Sequence, residues 1–430
     1  MLYLFLIKKL VINIPDSIVL PDGIDENIKT TIDVPANNSL MSPYVRSPFP
    51  IGLWLYNHWP DNAKGLKGWI YRKFAEEPVL MSDVRPDLRM KMVEDMLAKN
   101  GFFGSTTSYE LLHSKKNHKK ARVNYTVNIS VPKRITRVIK LKKHNELDSL
   151  INLFARRNSA IRKGRIFSVD SLAYARQTIC DRLRNRGYYY FRPEYLTFKA
   201  DSTLSEHGIE LKLEYAKDIP SRALRKYYVG KVKTYIFRNQ GDGTPDTIKT
   251  ERGDIICMRP CKLRKNAIAS CFIFEEGDLM KTRNLSTTQS YLSRLGIFNS
   301  ISVDVTPLDS IKDDRIDVNV YCSFDKPLET QLELNMSSKS NSYLGPGLSF
   351  AVSQRNMFGG GERLTVKLDA AYEWQIGKIE SGKSRSDFNS YEIGLSGELA
   401  FPRLLAPKFL RATRRELSWT RINLGGDLMN

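Results

Sequence analysis

A chain of 430 residues is long enough for several domains, and 41% hydrophobic with 27% charged residues is the balance of a folded, water-compatible protein. No run of 18 apolar residues occurs, which excludes transmembrane helices. It does not exclude a β-barrel, whose alternating strands keep mean hydropathy low.

The first residues, Met1 to Ile7, are apolar but have no basic residue before them and no small-residue cleavage site after them, so they read as a strand running to Ile14 rather than as a leader. If the protein is exported, its targeting segment is expected to lie outside this sequence. The net charge of +20 has a dense source between Glu110 and Glu146, where eleven Lys and Arg, from Lys115 to Lys143, meet no acidic residue. Nucleic acid, anionic lipid head groups and a plain solvated face are all compatible with such a run. The aromatics interleaved there amount to Tyr125 alone, and no motif supports nucleic-acid binding.

A repeated unit occupies the first 325 residues. Leu97-Ala-Lys-Asn-Gly101-Phe-Phe103, Leu183-Arg-Asn-Arg-Gly187-Tyr-Tyr189 and Leu292-Ser-Arg-Leu-Gly296-Ile-Phe298 share a leucine four residues before the glycine and an aromatic two residues after it. Helix-like stretches precede each glycine, over 85–100, 169–186 and 285–295, with Asp83, Ser168 and Asn284 as expected N-caps. Glycine stops each helix because it enters the left-handed region without strain, and the aromatic after it is expected to pack under the helix. Two short alternating strands follow each glycine: 106–112 with 122–129, 194–199 with 209–215, and 301–305 with 316–322. A strand also opens each unit, at 3–14, 135–141 and 228–236, and the middle unit has a further helix over 146–157. The pattern is β-α-α-β-β, two helices on one face of a small mixed sheet. Gly-to-Gly separations of 86 and 109 residues are domain-sized. The expected extents are 1–131 for an irregular first module, then 132–226 and 227–325. The first carries an insertion, SPFPIGLWLYNHWP, whose Trp54 and Trp59 are expected to pack.

From 326 to 430 the helical pattern ceases, and strands are expected at 329–336, 347–353, 364–376 and 391–401. In the third of these, Leu364, Val366, Leu368, Ala370, Tyr372, Trp374 and Ile376 alternate with polar or small residues, which gives one apolar and one polar side. That length and alternation suit a transmembrane β-strand with Leu364, Val366, Leu368, Tyr372, Trp374 and Ile376 facing lipid. Gly359-Gly360-Gly361 precedes a strand and lacks the Lys-Ser/Thr of a phosphate loop, so it reads as the turn between two strands. Four strands cannot close a barrel, which needs about eight. The ending WTRINLGGDLMN looks like a fifth strand beginning, and the sequence is expected to be a fragment at its C-terminus.

No enzyme signature emerges. His58, His113, His118, His144 and His207 have no HExxH spacing, GxSxG is missing, and Cys257 and Cys261 lack a paired CxxC. No catalytic residue, metal site or cofactor is expected.

Tandem β-α-α-β-β modules with a Leu-xxx-Gly-x-aromatic turn, followed by NMFGGGERLTVKL, resemble the BamA/TamA outer-membrane assembly superfamily, also called the bacterial surface antigen family. The segments SYEIGLSGELAFPRLL and GLWLYN are most similar to TamA-like members of the Bacteroidetes type. The resemblance implies α+β POTRA modules in the periplasm, followed by the first strands of an antiparallel transmembrane β-barrel in the bacterial outer membrane. It implies unfolded outer-membrane client proteins, the lipid bilayer and an inner-membrane or periplasmic accessory protein as partners. The implied activity is insertion or export of clients; a two-partner-type secretion pore for one dedicated client is the alternative. The first barrel strand, 329–336, is expected to be short and polar-rich, as a weakly held seam would be. Counting strands from a periplasmic arm places Gly359, Gly360 and Gly361 on the periplasmic side.

Overall fold

The computed structural model describes residues 3–16, 18–34, 51–60, 64–113, 120–203, 205, 207–237, 244–258, 262–307, 314–338, 343–375, 390–403, 405 and 419–429. Cys261, His118, Ile376 and residues 114–119 and 308–313 lie outside the described residues. The chain forms two compact units, Met1–Cys180 with Arg192–Ile219, and Asp181–Phe191 with Pro220–Asn430.

In the first unit, β1 (Tyr3–Asn13), α1 (Ile24–Ile32), α2 (Ile51–His58), α3 (Gly65–Phe74), α4 (Met81–Val84), α5 (Pro86–Lys99), β2 (Thr106–His113) and β3 (Lys120–Asn128) come first. They are followed by β4 (Arg134–Ile139), α6 (Glu146–Arg157), α7 (Val169–Arg184), β5 (Leu196–Asp201) and β6 (Gly208–Tyr215). The sheets have orders β1-β3-β2 and β4-β6-β5, with the opening strand parallel to its neighbour and the last two antiparallel. Both are mixed sheets of one kind. In the first, Ile24, Ile28 and Ile32 of α1 and Met90, Val93 and Leu97 of α5 recur at helical spacing and bury against Ala121, Val123, Tyr125 and Val127 of β3. In the second, Ile151 and Phe154 of α6 and Ala175 and Ile179 of α7 are buried, as are Ile209, Leu211 and Leu213 of β6.

The second unit holds β7 (Tyr228–Phe237), β8 (Pro245–Thr250), β9 (Gly253–Met258), α8 (Lys265–Ala269), α9 (Thr282–Arg294), β10 (Phe298–Pro307) and β11 (Arg315–Phe324). Its sheet has order β10-β11-β7-β9-β8. This module keeps the β-α-α-β-β order as β7-α8-α9-β10-β11 and adds an unexpected β8–β9 hairpin, which extends the sheet to five strands. The chain then runs through β12 (Leu328–Ser338), β13 (Tyr343–Arg355), β14 (Arg363–Gln375), β15 (Ser390–Phe401) and β16 (Thr420–Met429), an antiparallel sheet in sequence order.

Several local expectations change. Asp83 belongs to the four-residue α4 and accepts from the Leu80 N–H at 3.4 Å, while α5 starts at Pro86. Asn284 lies inside α9, whose N-cap is Lys281. Ser168 receives the Ser171 N–H at 3.4 Å. Trp54 lies exposed on α2 and stacks on His58, one helical turn on. The residue that packs under each helix is the one directly after the glycine: Phe102, Tyr188 and Ile297 are buried, whereas Phe103 is 47% exposed. A chain leaving a left-handed glycine turns its next side chain back toward the helix it has ended, and the following one away.

Candidate functional site

The glycine turns are built alike. Gly101, Gly187 and Gly296 all have positive φ, at 92°, 95° and 67°. The Lys133 N–H donates to the Gly101 carbonyl at 2.9 Å, and the Lys133 carbonyl accepts from Phe167 at 3.0 Å. In the second unit the same stitch recurs: the Tyr227 N–H donates to the Gly187 carbonyl at 2.9 Å, and the Tyr227 carbonyl accepts from Met280 at 2.9 Å. A Cβ on Gly101 would lie 2.6 Å from the Phe167 carbonyl oxygen, and one on Gly187 would lie 2.7 Å from Leu279 Cδ1. Gly296 differs, because a Cβ there meets nothing within 4 Å. Its neighbour Ile297 takes over and accepts from the Asp325 N–H at 2.9 Å.

Asp325 begins the connection to the terminal sheet. Arg355, at the end of β13, pairs with both Asp325 and Glu329, the latter at 2.6 Å, and its N–H donates to the Pro327 carbonyl at 2.8 Å. Two carboxylates thus share one planar guanidinium, which suits its forked donors. The glycine turn between β13 and β14 docks beside this clamp. The Arg264 N–H donates to the Gly359 carbonyl at 2.7 Å, and Asn356 Nδ2 donates to the Lys262 carbonyl at 2.7 Å. Asn356, Gly359 and Gly361 have positive φ, and the Asn356 Oδ1 accepts from Gly361 at 3.1 Å. Glu362, 2% exposed, accepts from the Gly360 N–H at 2.8 Å and faces Arg264 at 3.8 Å. The turn and the start of β12 lie at one end of the sheet, since Leu328 pairs with Gln354.

The terminal sheet sorts its side chains by register. One row runs Leu332, Phe350, Leu368, Leu395 and Gly426; the next runs Leu334, Leu348, Ala370, Ile393 and Leu428. On the opposite face, one row reads Glu333, Ser349, Asp369, Gly394 and Asp427. There Ser353 and Thr365 bond at 2.9 Å, and Lys367 reaches Asp369 at 2.7 Å. The apolar face is uncovered: Leu332, Leu334, Phe350, Leu368, Ile393, Leu395, Leu424 and Leu428 are all exposed, Leu334 by 78%. Such a contiguous apolar surface needs a non-aqueous neighbour.

Among the sequence-predicted residues of β14, Leu364, Val366, Leu368, Tyr372 and Trp374 share this face, Ile376 lying beyond the described residues. Ten steps from Leu364 to Trp374 at about 3.4 Å, tilted by about 40°, rise about 26 Å, the height of an outer-membrane barrel's apolar band at about 25 Å. Aromatics mark both ends. Tyr372 pairs with Tyr391 and lies 6.1 Å from Trp374 at the far end, while Phe358 is exposed on the glycine turn. The first strand is not the short segment expected: β12 has 11 residues and pairs with β13 along its whole length. Its pattern is amphipathic rather than polar, Glu329, Gln331, Glu333 and Asn335 alternating with Leu328, Leu332, Leu334 and Met336.

Among the described residues, no group of three His, Cys, Asp or Glu side chains is placed to hold a metal, and no helix is long and apolar enough to cross a membrane. Cys257 is disulfide-bonded. Cys271 and Cys322 are free, and burial pushes both thiols up to about 12.

Each module thus sets helices against a mixed sheet, and the terminal sheet is antiparallel in chain order with one uncovered apolar face. No protein-family model and no curated protein matches the sequence. Among solved structures, the chain is similar to POTRA domains 3–5 of Haemophilus influenzae BamA, at 11% identity and a TM-score of 0.35, over 75% of this chain and 96% of that one. BamA from Haemophilus ducreyi lacking POTRA domains 1–3 gives 14% identity and a TM-score of 0.36, over 69% of this chain and 58% of that one. CdiB from Acinetobacter baumannii gives 11% and 0.28, over 70% of this chain and 55% of that one. The chain thus spans little more than half the length of these last two.

Proposed function

We propose that the chain is the periplasmic arm and opening barrel wall of an outer-membrane assembly or translocation factor of the BamA/TamA superfamily, TamA-like in its detailed wording. Residues 1–131, 132–226 and 227–325 are three successive POTRA-type modules, and 326–430 the first strands of the barrel. Leu364, Val366, Leu368, Tyr372, Trp374 and Ile376 face lipid, and Gly359, Gly360 and Gly361 form the periplasmic turn against which the last module rests. Gly101, Gly187 and Gly296 end the module helices and receive or adjoin the connection to the next element. The partners in this reading are unfolded client polypeptides, the bilayer and a periplasmic or inner-membrane accessory protein; catalysis and cofactors have no part in it.

The observation that carries the reading is the uncovered apolar face of the terminal sheet, held in unbroken register across five strands. An antiparallel sheet in water covers its apolar face with a helix or a second sheet; a barrel wall leaves it to lipid. Client handling follows from the same chemistry, because β10 and β8 end the last module's sheet and a strand edge offers unpaired N–H and C=O groups to an extended polypeptide. The test is depletion of the protein followed by quantification of outer-membrane barrels and surface lipoproteins. Loss of many clients supports the assembly reading, loss of a single exported protein supports a dedicated secretion pore, and unchanged levels of all of them end both.

A further inference from the structure

The second unit contains a cleft of about 740 Å³ that the barrel reading does not use. It lies where the turn after α7 meets the start of α9, and its volume falls within the range of ligand-sized sites, about 300–1,000 Å³. Three cations line it: Arg186, Lys281 and Arg283. None of the three has a carboxylate partner among the described residues. Asp278, the one acidic lining residue, is already engaged, its Oδ2 accepting from the Glu275 N–H at 3.0 Å. The Asn185 side chain is also committed: its Oδ1 accepts from the Arg283 N–H at 2.8 Å and its Nδ2 donates to the Asp181 carbonyl at 2.8 Å. Asn284 and Thr287 are not, since neither side chain bonds to a described residue. Ile273, Leu279 and Tyr291 supply an apolar wall.

We infer that this cleft binds an extended polypeptide segment in which acidic and apolar side chains alternate. The three cations match carboxylates, the Asn284 and Thr287 side chains match a peptide backbone, and the apolar wall takes the residues between the charges. An inorganic anion would leave that apolar wall wetted. Cations held without partners around a concave site focus their field on it and favour such a segment over a neutral one. The inference stands whether or not the terminal sheet spans a membrane.

The test uses the whole chain in detergent solution and a fluorescein-labelled hexapeptide, Glu-Leu-Asp-Phe-Glu-Leu, followed by polarisation. Saturable binding is expected, together with failure of the lysine counterpart Lys-Leu-Lys-Phe-Lys-Leu to compete. Reversal of all three cations, Arg186→Glu with Lys281→Glu and Arg283→Glu, is expected to weaken binding at least about tenfold. Thr287→Trp fills the cleft without changing charge and is expected to weaken it as much; its position on the helix surface keeps the test open should the triple variant fail to fold. Reversal of Arg156, Arg157 and Arg162, which lie outside the cleft, is expected to change affinity by less than about twofold. The inference is overturned if the acidic peptide does not bind, or if the reversal outside the cleft weakens it as much as the cleft reversal. Unchanged affinity in Thr287→Trp overturns it too. So does capture of phosphatidylglycerol vesicles through the three cations without peptide binding, which would mark a lipid site.

Discussion

The sheet of the last α+β module and the terminal sheet use the same side-chain alternation and reach opposite ends of the burial scale. In β11, Ile316, Val318, Val320 and Cys322 are fully buried under α9 and its neighbours. In β12, Leu332, Leu334 and Met336 stand at 65%, 78% and 66% exposure. Period-two alternation specifies which face is apolar but says nothing of what covers it. A helix supplies the cover in the first case; among the described residues of 326–430 no helix covers the second face, and the proposed lipid-facing wall rests on that difference.

The largest effect should come from placing a charge on each face in turn. Val318→Asp buries an unpaired carboxylate and should cost the module about 4 kcal/mol or more, seen as loss of its cooperative thermal transition. Leu368→Arg should leave that transition within about 0.5 kcal/mol in the whole chain in detergent, yet cost about 2–4 kcal/mol for insertion into vesicles. Equal effects in both assays would erase the distinction between the two sheets.

Next in size are the turn glycines. Gly101→Ala and Gly187→Ala force a Cβ into the Phe167 carbonyl and Leu279, and each should cost about 2–3 kcal/mol; Gly296→Ala carries the left-handed backbone cost alone, about 1 kcal/mol. Denaturant melts order the three. A Gly296 variant as damaging as the other two would mean that the close approach is not what the first two glycines serve.

Arg355→Ala removes the guanidinium shared by Asp325 and Glu329 and should destabilise the join between module and sheet by about 1–3 kcal/mol, read as earlier proteolysis near residue 326. The smallest effect is expected at Glu214, whose carboxylate bridges Lys199 and Lys212 at 2.6 Å each. Hydrogen bonds from the two ammonium groups lower its pKa from 4.5 to about 2. A depressed folded pKa contributes stability that is present above about 4.5 and lost as pH falls toward 2, so Glu214→Gln should flatten the acid limb of thermal stability in that window alone.

Local sequence carried the fold far. The repeated glycine, the helix spacing before it and the strand alternation after it depend on neighbours within about ten residues, and those elements form in the structure with boundaries moved by a few positions. What sequence hid depends on distant partners. The contact that forbids a side chain at Gly101 comes from Phe167, sixty-six residues on, and the clamp on Arg355 comes from Asp325 and Glu329 across a strand pair. The β8–β9 hairpin escaped because Pro245–Thr250 reads PDTIKT, too polar to look like a strand. Phe102 and Phe103 are both aromatic, and only the backbone turn at Gly101 decides which points inward.

The central claim is that alternate residues of β14 face lipid and water. Spin labels placed one at a time at residues 364 through 374, in the protein reconstituted into vesicles, report it through collision with oxygen and with a water-soluble nickel complex. Oxygen accessibility should peak at 364, 366, 368, 372 and 374, with nickel accessibility peaking at 365, 367, 369 and 373, half a period out of phase. In-phase profiles, or nickel access at Leu368 equal to that at Lys367, would contradict a lipid-facing wall.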